Sequence, residues 1–409
     1  MIRFCLVTCF ALALTLVSSQ AADWPRFRGP NGTGIAEGPL PDINPAKPLW
    51  KTKLPGKGNG SPIVVGGKIY LQSSSTDGKT RMLICVNASD GSIDWTKELP
   101  GEKGKPHPKN SLASGTPTCD GKQIYCQWWD GSGVSLYAYD LKGTELWRTS
   151  LGSYVSQHGP GFSPIVHDGL VFVNVDDDQH AELVALDIKT GDKKWFVERK
   201  HYRASYSTPF ILERSGKPAE LVLGTTTALT SYDPKTGNVN WEYAIAWPKG
   251  EMPLRVVGCP VYAAGLIVVY CGDGGGSRYM IAIDPSGKKP AKAWDLKKET
   301  PYVPCVLVKG NHLFWIGDKG IATCADAKTG KPVWSERVFN TDVTASPVLV
   351  GDKILVVSEK GEVAVVKADK EFEESPKVSL GEKVYASPAA ADGKVFIRGD
   401  SQLYCFGKK

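Results

Sequence analysis

The sequence lacks the short motifs that mark several common classes of functional site. It contains neither a C-x-x-C nor an H-E-x-x-H motif, so nothing in it supports a zinc site. Its 49 Lys and Arg residues exceed its 43 Asp and Glu residues without long runs of one sign, which argues against nucleic-acid binding. Helical periodicity is almost absent as well, which excludes a solenoid built from helix pairs.

Long apolar runs are also missing, apart from one near the start of the chain. An apolar run from Phe4 to Val17 follows a short basic start, and small residues up to Ala21 suit a signal peptidase. This pattern predicts a signal peptide over residues 1–22 and export to the periplasm or the extracellular space. The two cysteines within the segment lie too early for a lipid anchor, so we expect soluble export. No other segment approaches the ~20 apolar residues of a membrane span.

Cysteine is present in an even number after this segment. An even count in an exported chain permits disulfides, but the spacing specifies no pairing. Most of these cysteines lie within strand-like apolar runs, which favours a role as small buried hydrophobic residues. They are Cys85, Cys119, Cys126, Cys259, Cys271, Cys305, Cys324 and Cys405.

A repeated turn followed by tryptophan organises the rest of the chain. The stretch Leu183–Trp195 is an apolar run, then a turn from Asp187 to Gly191 that suits an Asx-type bond and a glycine with positive φ, then an aromatic residue. The pattern returns at residues 232–241 and 325–334, and looser copies occur elsewhere. We expect these tryptophans to dock between neighbouring units and to be largely buried: Trp50, Trp95, Trp147, Trp195, Trp241, Trp294 and Trp334.

A second landmark precedes each turn-and-tryptophan motif. It is a small residue or cysteine followed by proline, as in Ser61-Pro62, and it suits the first position of a strand. Val303-Pro304 is a degenerate copy. The prolines are spaced 41 to 55 residues apart and divide the chain into eight units: Pro62, Pro117, Pro164, Pro209, Pro260, Pro304, Pro347 and Pro388.

Four short strands fit within each unit, which predicts an all-β, eight-bladed β-propeller with four-stranded antiparallel blades. The last unit ends after three strands, whereas an unpaired strand surrounds Trp50. This strand should complete the last blade and close the ring, which removes an open sheet edge. We therefore assign residues 49–409 to the propeller. Residues 23–48 should form an extended arm, anchored by Trp24 and Phe27 on the outside of neighbouring blades.

The pattern Ala-x-Asp-x-x-Thr-Gly-x-x-x-Trp resembles the tryptophan-docking motif of the pyrroloquinoline-quinone-like (PQQ-like) propeller repeats. The resemblance covers residues 50–406, and Asp23–Gly34 looks like the leader of an exported bacterial subgroup. The superfamily holds quinoprotein dehydrogenases and also a non-catalytic scaffold of the outer-membrane barrel-assembly machinery. The catalytic members carry an adjacent cysteine pair and long insertions, both missing here. The resemblance thus favours a scaffold without cofactor, and leaves a dehydrogenase with PQQ and calcium as the alternative.

Function should reside on the face that carries the long, irregular loops, because the opposite face has only short turns. Four residues from successive blades on this face are the candidate binding residues: Trp129, His158, Arg203 and Arg255. The two arginines suit an anionic ligand at the channel mouth, although bonding to loop carbonyls would explain them equally. The expected partner is an envelope protein, a peptide or a glycan, bound by a monomer.

Three further stretches have both a functional and a structural interpretation. Asp176–Asp178 could form an oxygen-rich calcium loop or simply a solvated loop tip. Gly274–Gly276 lacks the following helix of a phosphate-binding loop. Arg398-Gly399-Asp400 spells an adhesion tripeptide but fits a tight turn equally well. His158 is accompanied by no nucleophile motif, so the sequence contains no recognisable catalytic constellation.

Overall fold

The computed structural model describes residues 23–104, 107–200, 202–246 and 254–408. The signal peptide that we predict over residues 1–22 lies outside the described residues. Within them, the arm contains a short 3-10 turn at Pro30–Gly32 and strand β1 (Ile35–Ala36), and β2 (Trp50–Lys53) follows. All remaining described strands belong to eight sheets arranged as the blades of a propeller, which confirms the predicted fold class.

Each blade consists of four strands that are consecutive in sequence, except that β2 supplies the outer strand of blade 8. Blades 1 to 4 comprise β3–β6 (Ile63–Val65, Lys68–Ser74, Thr80–Asn87, Ile93–Pro100), β7–β10 (Thr118–Cys119, Gln123–Trp129, Gly133–Asp140, Glu145–Ser153), β11–β14 (Ile165–His167, Leu170–Asp176, Ala181–Asp187, Lys193–Glu198) and β15–β18 (Phe210–Leu212, Glu220–Gly224, Ala228–Tyr232, Val239–Ala244). Blades 5 to 8 comprise β19–β22 (Val261–Ala263, Leu266–Gly272, Arg278–Asp284, Ala291–Leu296), β23–β26 (Leu307–Lys309, His312–Ile316, Ile321–Asp326, Pro332–Arg337), β27–β30 (Val348–Val350, Lys353–Val357, Glu362–Lys367, Val378–Ser379) and β31–β33 (Ala389–Ala391, Lys394–Arg398, Gln402–Phe406).

The ring closes as the sequence predicts. Strand β2 pairs antiparallel with β33, with Trp50 opposite Cys405. The first strands of neighbouring blades contact one another around the axis, as β3 does with β7 and β31. The first strand of each blade is therefore the innermost. Because the last blade is built from both ends of the propeller segment, no blade is left with an open edge at the closure.

The burial of each strand explains its sequence pattern. Strand β20 is buried along its whole length and reads as a continuous apolar run, because neighbouring blades cover both of its faces. The outer strand β14 alternates between exposed and half-buried residues, since only one of its faces meets another blade. The eight cysteines are all buried free thiols, in agreement with the expected role as small hydrophobic residues.

Each docking tryptophan reaches the turn of the next blade. The ring of Trp147 lies against Gly191, where an added Cβ would come within 2.5 Å of a ring carbon, and its Nε1 donates to the Ile188 carbonyl at 3.0 Å. Trp50, Trp95, Trp195 and Trp294 contact the corresponding glycines in the same way. Trp147 and Trp294 are buried, whereas the other five predicted docking tryptophans are only half-buried.

Two docking positions depart from this geometry because the next blade lacks the regular turn. Trp241 donates from Nε1 to a carboxylate oxygen of Glu220 at 2.7 Å. Trp334 donates to the carbonyl of Asp369 at 3.0 Å and packs edge-on against Phe372, with ring centroids 5.1 Å apart. The turn of blade 7 has no glycine, and its Phe372 covers the tryptophan of blade 6 instead.

The N-terminal arm does not pack on the outside of the blades, so that expectation is wrong. It crosses the inner end of the ring instead. Trp24 pairs with Val64 of β3, the carbonyl of Pro25 accepts from Cys119 of β7 at 2.8 Å, and β1 pairs in parallel with β27. These inner strands have unpaired edges that face the axis, and the arm supplies the partners that those edges need.

Two buried arginines fix the arm across the ring. Arg28 is 1% exposed, and its guanidinium donates to the carbonyls of Pro347 and Val306 at the inner ends of blades 7 and 6. Arg26 donates to the carbonyl of Pro209 at the start of blade 4, and burial lowers the pKa of Arg26 to about 10. The Trp24–Gly34 stretch therefore closes the axial channel on the side of the short turns.

Candidate functional site

A cavity of about 510 Å³ lies on the propeller axis, on the side of the long loops. Phe27 of the arm contributes to its lining from below, between the two arginines that fix the arm. The walls come from the segments that lead into successive blades, such as those of His158, Arg255 and Tyr302. The cavity therefore has the size of a pocket for a small molecule or for the end of a chain.

The residue before each proline forms a ring around the lower part of the cavity. In most blades its backbone N–H donates to the side-chain oxygen or sulfur of the equivalent residue in the next blade. Six such bonds of 2.9 to 3.3 Å join Ser61 to Thr116, Thr116 to Ser163, Cys259 to Cys305, Cys305 to Ser346, Ser346 to Ser387 and Ser387 to Ser61. The small-residue–proline landmark thus marks a polar ring as well as the start of a strand.

This ring corrects the alignment of blade 6. The sequence pattern places Val303-Pro304 at the equivalent position, whereas the hydrogen bonds place Cys305 there, between Cys259 and Ser346. The proline of blade 6 precedes the ring position instead of following it. A bond in this ring needs only a small acceptor side chain and a free backbone N–H. The reversed order of proline and small residue in blade 6 therefore leaves the ring intact.

Arg255 and His158 form one wall of the cavity. The backbone of Arg255 pairs in both directions with Gly272 at the end of β20, each bond being 3.0 Å long, so its position is fixed by the sheet. Its side chain is nearly buried, with 7% exposed, and Nη2 lies 3.5 Å from Oε1 of Gln157. Its Nε is buried and has no hydrogen-bond partner among the described residues.

The imidazole of His158 is neutral at pH 7. Burial, followed by the positive charges of Arg255 and His107, lowers the pKa of His158 to about 4. The rings of His158 and His107 have centroids 4.6 Å apart. Nδ1 of His158 is buried without a hydrogen-bond partner in the described part of the chain. The wall therefore presents a charged guanidinium beside an uncharged ring nitrogen.

Two of the four predicted binding residues, His158 and Arg255, line the cavity together. Arg203 does not contact the cavity, although its charge makes a small contribution to the lowered pKa of His158. Both arginines oppose the rise that burial causes in the pKa of Tyr302. Tyr302 lies in the segment that leads into blade 6 and received no role in the sequence analysis, because a tyrosine in an irregular loop carries no distinguishing signal.

Trp129 lies apart from this group. Strand β8 extends to Trp129, so the tryptophan belongs to the blade and not to the loop after it. Its side chain is buried under Gly104 in the core between blades 2 and 3, while Trp128 packs on the opposite face, towards blade 1. The alternation of side chains along a strand explains why the two rings separate.

Ion pairs also line the cavity mouth. Lys109 bonds to Asp342 at 2.8 Å and to Glu359 at 2.9 Å, and so ties the segment before blade 2 to blade 7. Arg278 pairs with Asp318 at 3.5 Å and lies 5.3 Å above the ring of Tyr302. These pairs were not predicted, because Lys109 and Asp342 are 233 residues apart and each appears as an ordinary surface charge.

The other candidate stretches are engaged in structural bonds. Asp176 is buried and paired with Arg199, while Asp177 accepts the backbone N–H groups of Gln179 and His180, both at 2.7 Å. The Asp273 side chain caps its own glycine-rich turn at Gly275. Arg398 is buried and donates to the carbonyls of Gly60 and Gln72 at 2.8 and 2.7 Å, which joins blade 8 to blade 1.

The acids around the cavity do not fit a calcium-bound quinone. Asp318 accepts the backbone N–H groups of Tyr302 and Val303, at 2.8 and 3.1 Å, in addition to its pair with Arg278. Asp342 is shared by Lys109 and Lys319. Within the described ranges, no group of three His, Cys, Asp or Glu residues is placed to hold a metal ion. The acid side chains of the mouth are thus held by protein cations and amides, and no mechanistic step is derived through a quinone.

The chain is similar to known proteins along most of its length. The family described as outer membrane protein assembly factor BamB matches residues 41–127, 75–158 and 102–336. Outer membrane protein assembly factor BamB of Bordetella pertussis is 25% identical over 370 residues, which cover 86% of this chain and 83% of that protein. In the part of the chain that the structure describes, no helix has the length and apolar character needed to cross a membrane.

Two further similarities concern the fold and part of the sequence. The crystal structure of BamB from Moraxella catarrhalis superimposes with a TM-score of 0.66 at 13% identity, covering 88% of this chain and 99% of that one. A polyvinylalcohol dehydrogenase from Pseudomonas sp. is 26% identical over 216 residues, which cover 48% of this chain and 31% of that protein. The first similarity shows the shared propeller fold, and the second is confined to part of each chain.

Proposed function

Because the chain belongs to the PQQ-like propeller family described as outer membrane protein assembly factor BamB, we propose that it is a non-catalytic scaffold of the bacterial cell envelope. It is exported to the periplasm or the extracellular space. There it acts as a monomer and binds an envelope partner, a protein or peptide segment or a glycan, on the face of the long loops. It needs no cofactor for this role.

The arrangement of charged groups in the cavity carries this proposal. The described acids of the mouth are bound by cations and backbone amides. Such a set can recognise a partner by charge and hydrogen bonding. The broad loop face around the cavity supplies the surface for an extended partner.

Capture from a cell-envelope extract tests the proposal. The immobilised wild-type protein is compared with Arg203→Ala/Arg255→Ala, which removes two positive charges that act on His158 in the cavity wall. The matched control is Arg148→Ala/Lys235→Ala, which removes two exposed charges from outer positions of blades 2 and 4. We expect the cavity variant to capture less partner and the remaining binding to depend less on salt. Equal capture by all three proteins would contradict the proposal.

The second candidate is an oxidoreductase, which the partial similarity to polyvinylalcohol dehydrogenase favours. The purified protein is incubated with PQQ and calcium and then tested for quinone absorbance and for reduction of a redox dye with alcohols. The scaffold proposal predicts no alcohol-dependent dye reduction above that of free PQQ with calcium. Turnover that depends on the protein would establish the enzyme instead.

A further inference from the structure

Arg255 differs from the other buried arginines in what surrounds its guanidinium. Arg28, Arg81 and Arg398 each donate to two or more backbone carbonyls, and Arg26 donates to one. Within the described ranges Arg255 has neither a carboxylate partner nor a backbone carbonyl for its side chain. Its polar contacts there are Oε1 of Gln157 at 3.5 Å and the hydroxyl of Tyr302, and its Nε has no partner. A buried cation without a counter-charge is costly, so this position favours an anion.

The other charges around the cavity leave the position of Arg255 with an uncompensated positive charge. The nearby cations Arg278 and Lys109 already have acid partners, Asp318 and Asp342. Those pairs leave the charge of Arg255 uncompensated, and Arg203 adds to the positive field at His158. A guanidinium matches the two oxygens of a carboxylate through parallel N–H donors. His158 can donate from Nδ1 to the same group, since that nitrogen is buried and has no partner.

We propose that Arg255 and His158 form a carboxylate-binding site in the wall of the central cavity. This inference rests on the proposed binding function of the loop face and specifies the chemistry that the face recognises. The carboxylate belongs either to a small organic acid or to the carboxyl end of a peptide. The cavity of about 510 Å³ accepts both. In this binding mode, the buried guanidinium of Arg255 and the neutral imidazole of His158 both donate hydrogen bonds to the carboxylate.

The site predicts a coupling between ligand binding and the charge of His158. The groups that face its imidazole are Arg255, Arg203 and His107, whose positive charges oppose protonation, and Asp178, which favours it. A bound carboxylate adds a second negative group and partly cancels the charge of Arg255. The pKa of His158 therefore rises from about 4 when the site is filled. By linkage, the affinity increases as the pH falls through the pKa of the bound state towards that of the empty site.

The test uses the full mature chain and three probes: acetate, N-acetyl-diglycine, and N-acetyl-diglycine amide. Each is added during a pH titration of the histidine ring signals by NMR, and His158→Gln identifies the signal of His158. We expect a carboxylate probe to raise the pKa of His158 by about 1–3 units, and the amide to leave it unchanged. Binding of acetate and the peptide acid indicates a site open to small acids, whereas binding of the peptide acid alone indicates a chain terminus.

Variants separate the site from a general effect of charge. Arg255→Gln should lower the affinity for the carboxylate probe at least tenfold. Arg255→Lys should bind it with intermediate affinity, because it keeps the positive charge but loses the two parallel N–H donors of the guanidinium. Arg148→Gln, which removes a charge from the outer strand of blade 2, should bind like wild type. The proposed carboxylate site would be contradicted if no carboxylate probe shifted the His158 signal, or if Arg255→Gln bound the probe with wild-type affinity.

The two proposals fail separately. Probe binding to the purified protein requires no envelope partner, so it can succeed even if capture from the extract does not depend on the cavity. Conversely, charge-dependent capture without any response of His158 to carboxylates would retain the scaffold and remove the carboxylate site. The wild-type titration needs no substitution at Arg255, so the inference is tested even if a variant at this buried position does not fold.

Discussion

Replacing Gly191 by alanine tests how neighbouring blades are held together. Gly191 has φ of 75°, a conformation that costs an L-residue roughly 1–2 kcal/mol. An added Cβ would also lie 2.5 Å from a ring carbon of Trp147, and forcing a methyl group into a packed contact costs a further ~1–3 kcal/mol. We therefore expect Gly191→Ala to lower the free energy of unfolding by about 2–5 kcal/mol.

Gly216 provides the matched control for this substitution. Its φ is 71°, but nothing lies within 4 Å of an added Cβ. Gly216→Ala should therefore cost only the conformational strain, about 1–2 kcal/mol. Both variants are unfolded in guanidinium chloride and followed by far-ultraviolet circular dichroism. The difference between the two losses measures the contact between the blade turn and the tryptophan ring.

A double-mutant cycle with Trp147→Ala separates this contact from any other effect at Gly191. Removing the ring relieves the closest contact of the new methyl group but leaves Oγ1 of Thr149 2.9 Å from it, so Gly191→Ala should then cost less than in the wild-type background, with the ~1–2 kcal/mol of the control position as the lower bound. If Gly191→Ala has the same cost with and without Trp147, or costs no more than Gly216→Ala, the turn does not serve as the docking surface of the tryptophan.

Two other predictions concern the arm and the turns. Arg28→Ala removes a guanidinium that donates to carbonyls of blades 6 and 7, and should lower the free energy of unfolding by about 2–4 kcal/mol; a loss below ~1 kcal/mol in guanidinium unfolding would mean that the arm does not brace the ring. The Asp187 carboxylate accepts the backbone N–H of Lys189, and the Asp326 carboxylate accepts the hydroxyl and the backbone N–H of Thr329, which lowers the pKa of each. Their stabilising contribution is present above the unfolded-state pKa and is lost as the pH falls through the lower folded-state values. The melting temperature should therefore fall between pH 5 and pH 2.5, and fall less in Asp187→Asn/Asp326→Asn; an equal fall in both proteins would contradict the role of the carboxylates.

The sequence predicts the blades well because each blade repeats the same local chemistry. A positive-φ glycine, an Asx turn and a tryptophan recur together, and the structure joins them directly, as at Gly191 and Trp147. The closure of the ring was predictable for the same reason, since a strand without partners at one end matched a missing strand at the other. Repetition supplies several independent observations of one arrangement, which a single motif cannot provide.

Non-repeated segments were harder to predict, because their partners are distant in sequence. The arm contains apolar and charged residues that suit an outer surface as well as the axis, and only the unpaired edges of the inner strands decide between the two positions. Arg28 illustrates this limit: its carbonyl acceptor at Pro347 is 319 residues away. The same limit applies to the ion pair between Lys109 and Asp342, which frames the cavity mouth.

The candidate site was predictable only in part, and the reason lies in the position of each residue relative to its strand. His158 and Arg255 were assigned to segments that lead into inner strands, and such segments line the axis in a propeller. Trp129 was assigned to a loop, but its strand continues through it, and a side chain within a strand turns towards a neighbouring blade. A shift of one or two residues in the end of a strand thus decides whether a side chain lines the cavity or packs in the core between blades.

The cavity owes its depth to the one segment that the repeat does not contain. Eight equivalent blades would leave an axial channel open at both ends, lined by the ring of small residues. Phe27 lies between Arg26 and Arg28, whose side chains bond to the inner ends of blades 4, 6 and 7, so bonds that join the blades also hold the cavity floor. Stability and the shape of the cavity are therefore coupled. A substitution that releases the arm should change binding on the loop face, although the arm lies on the opposite side of the ring.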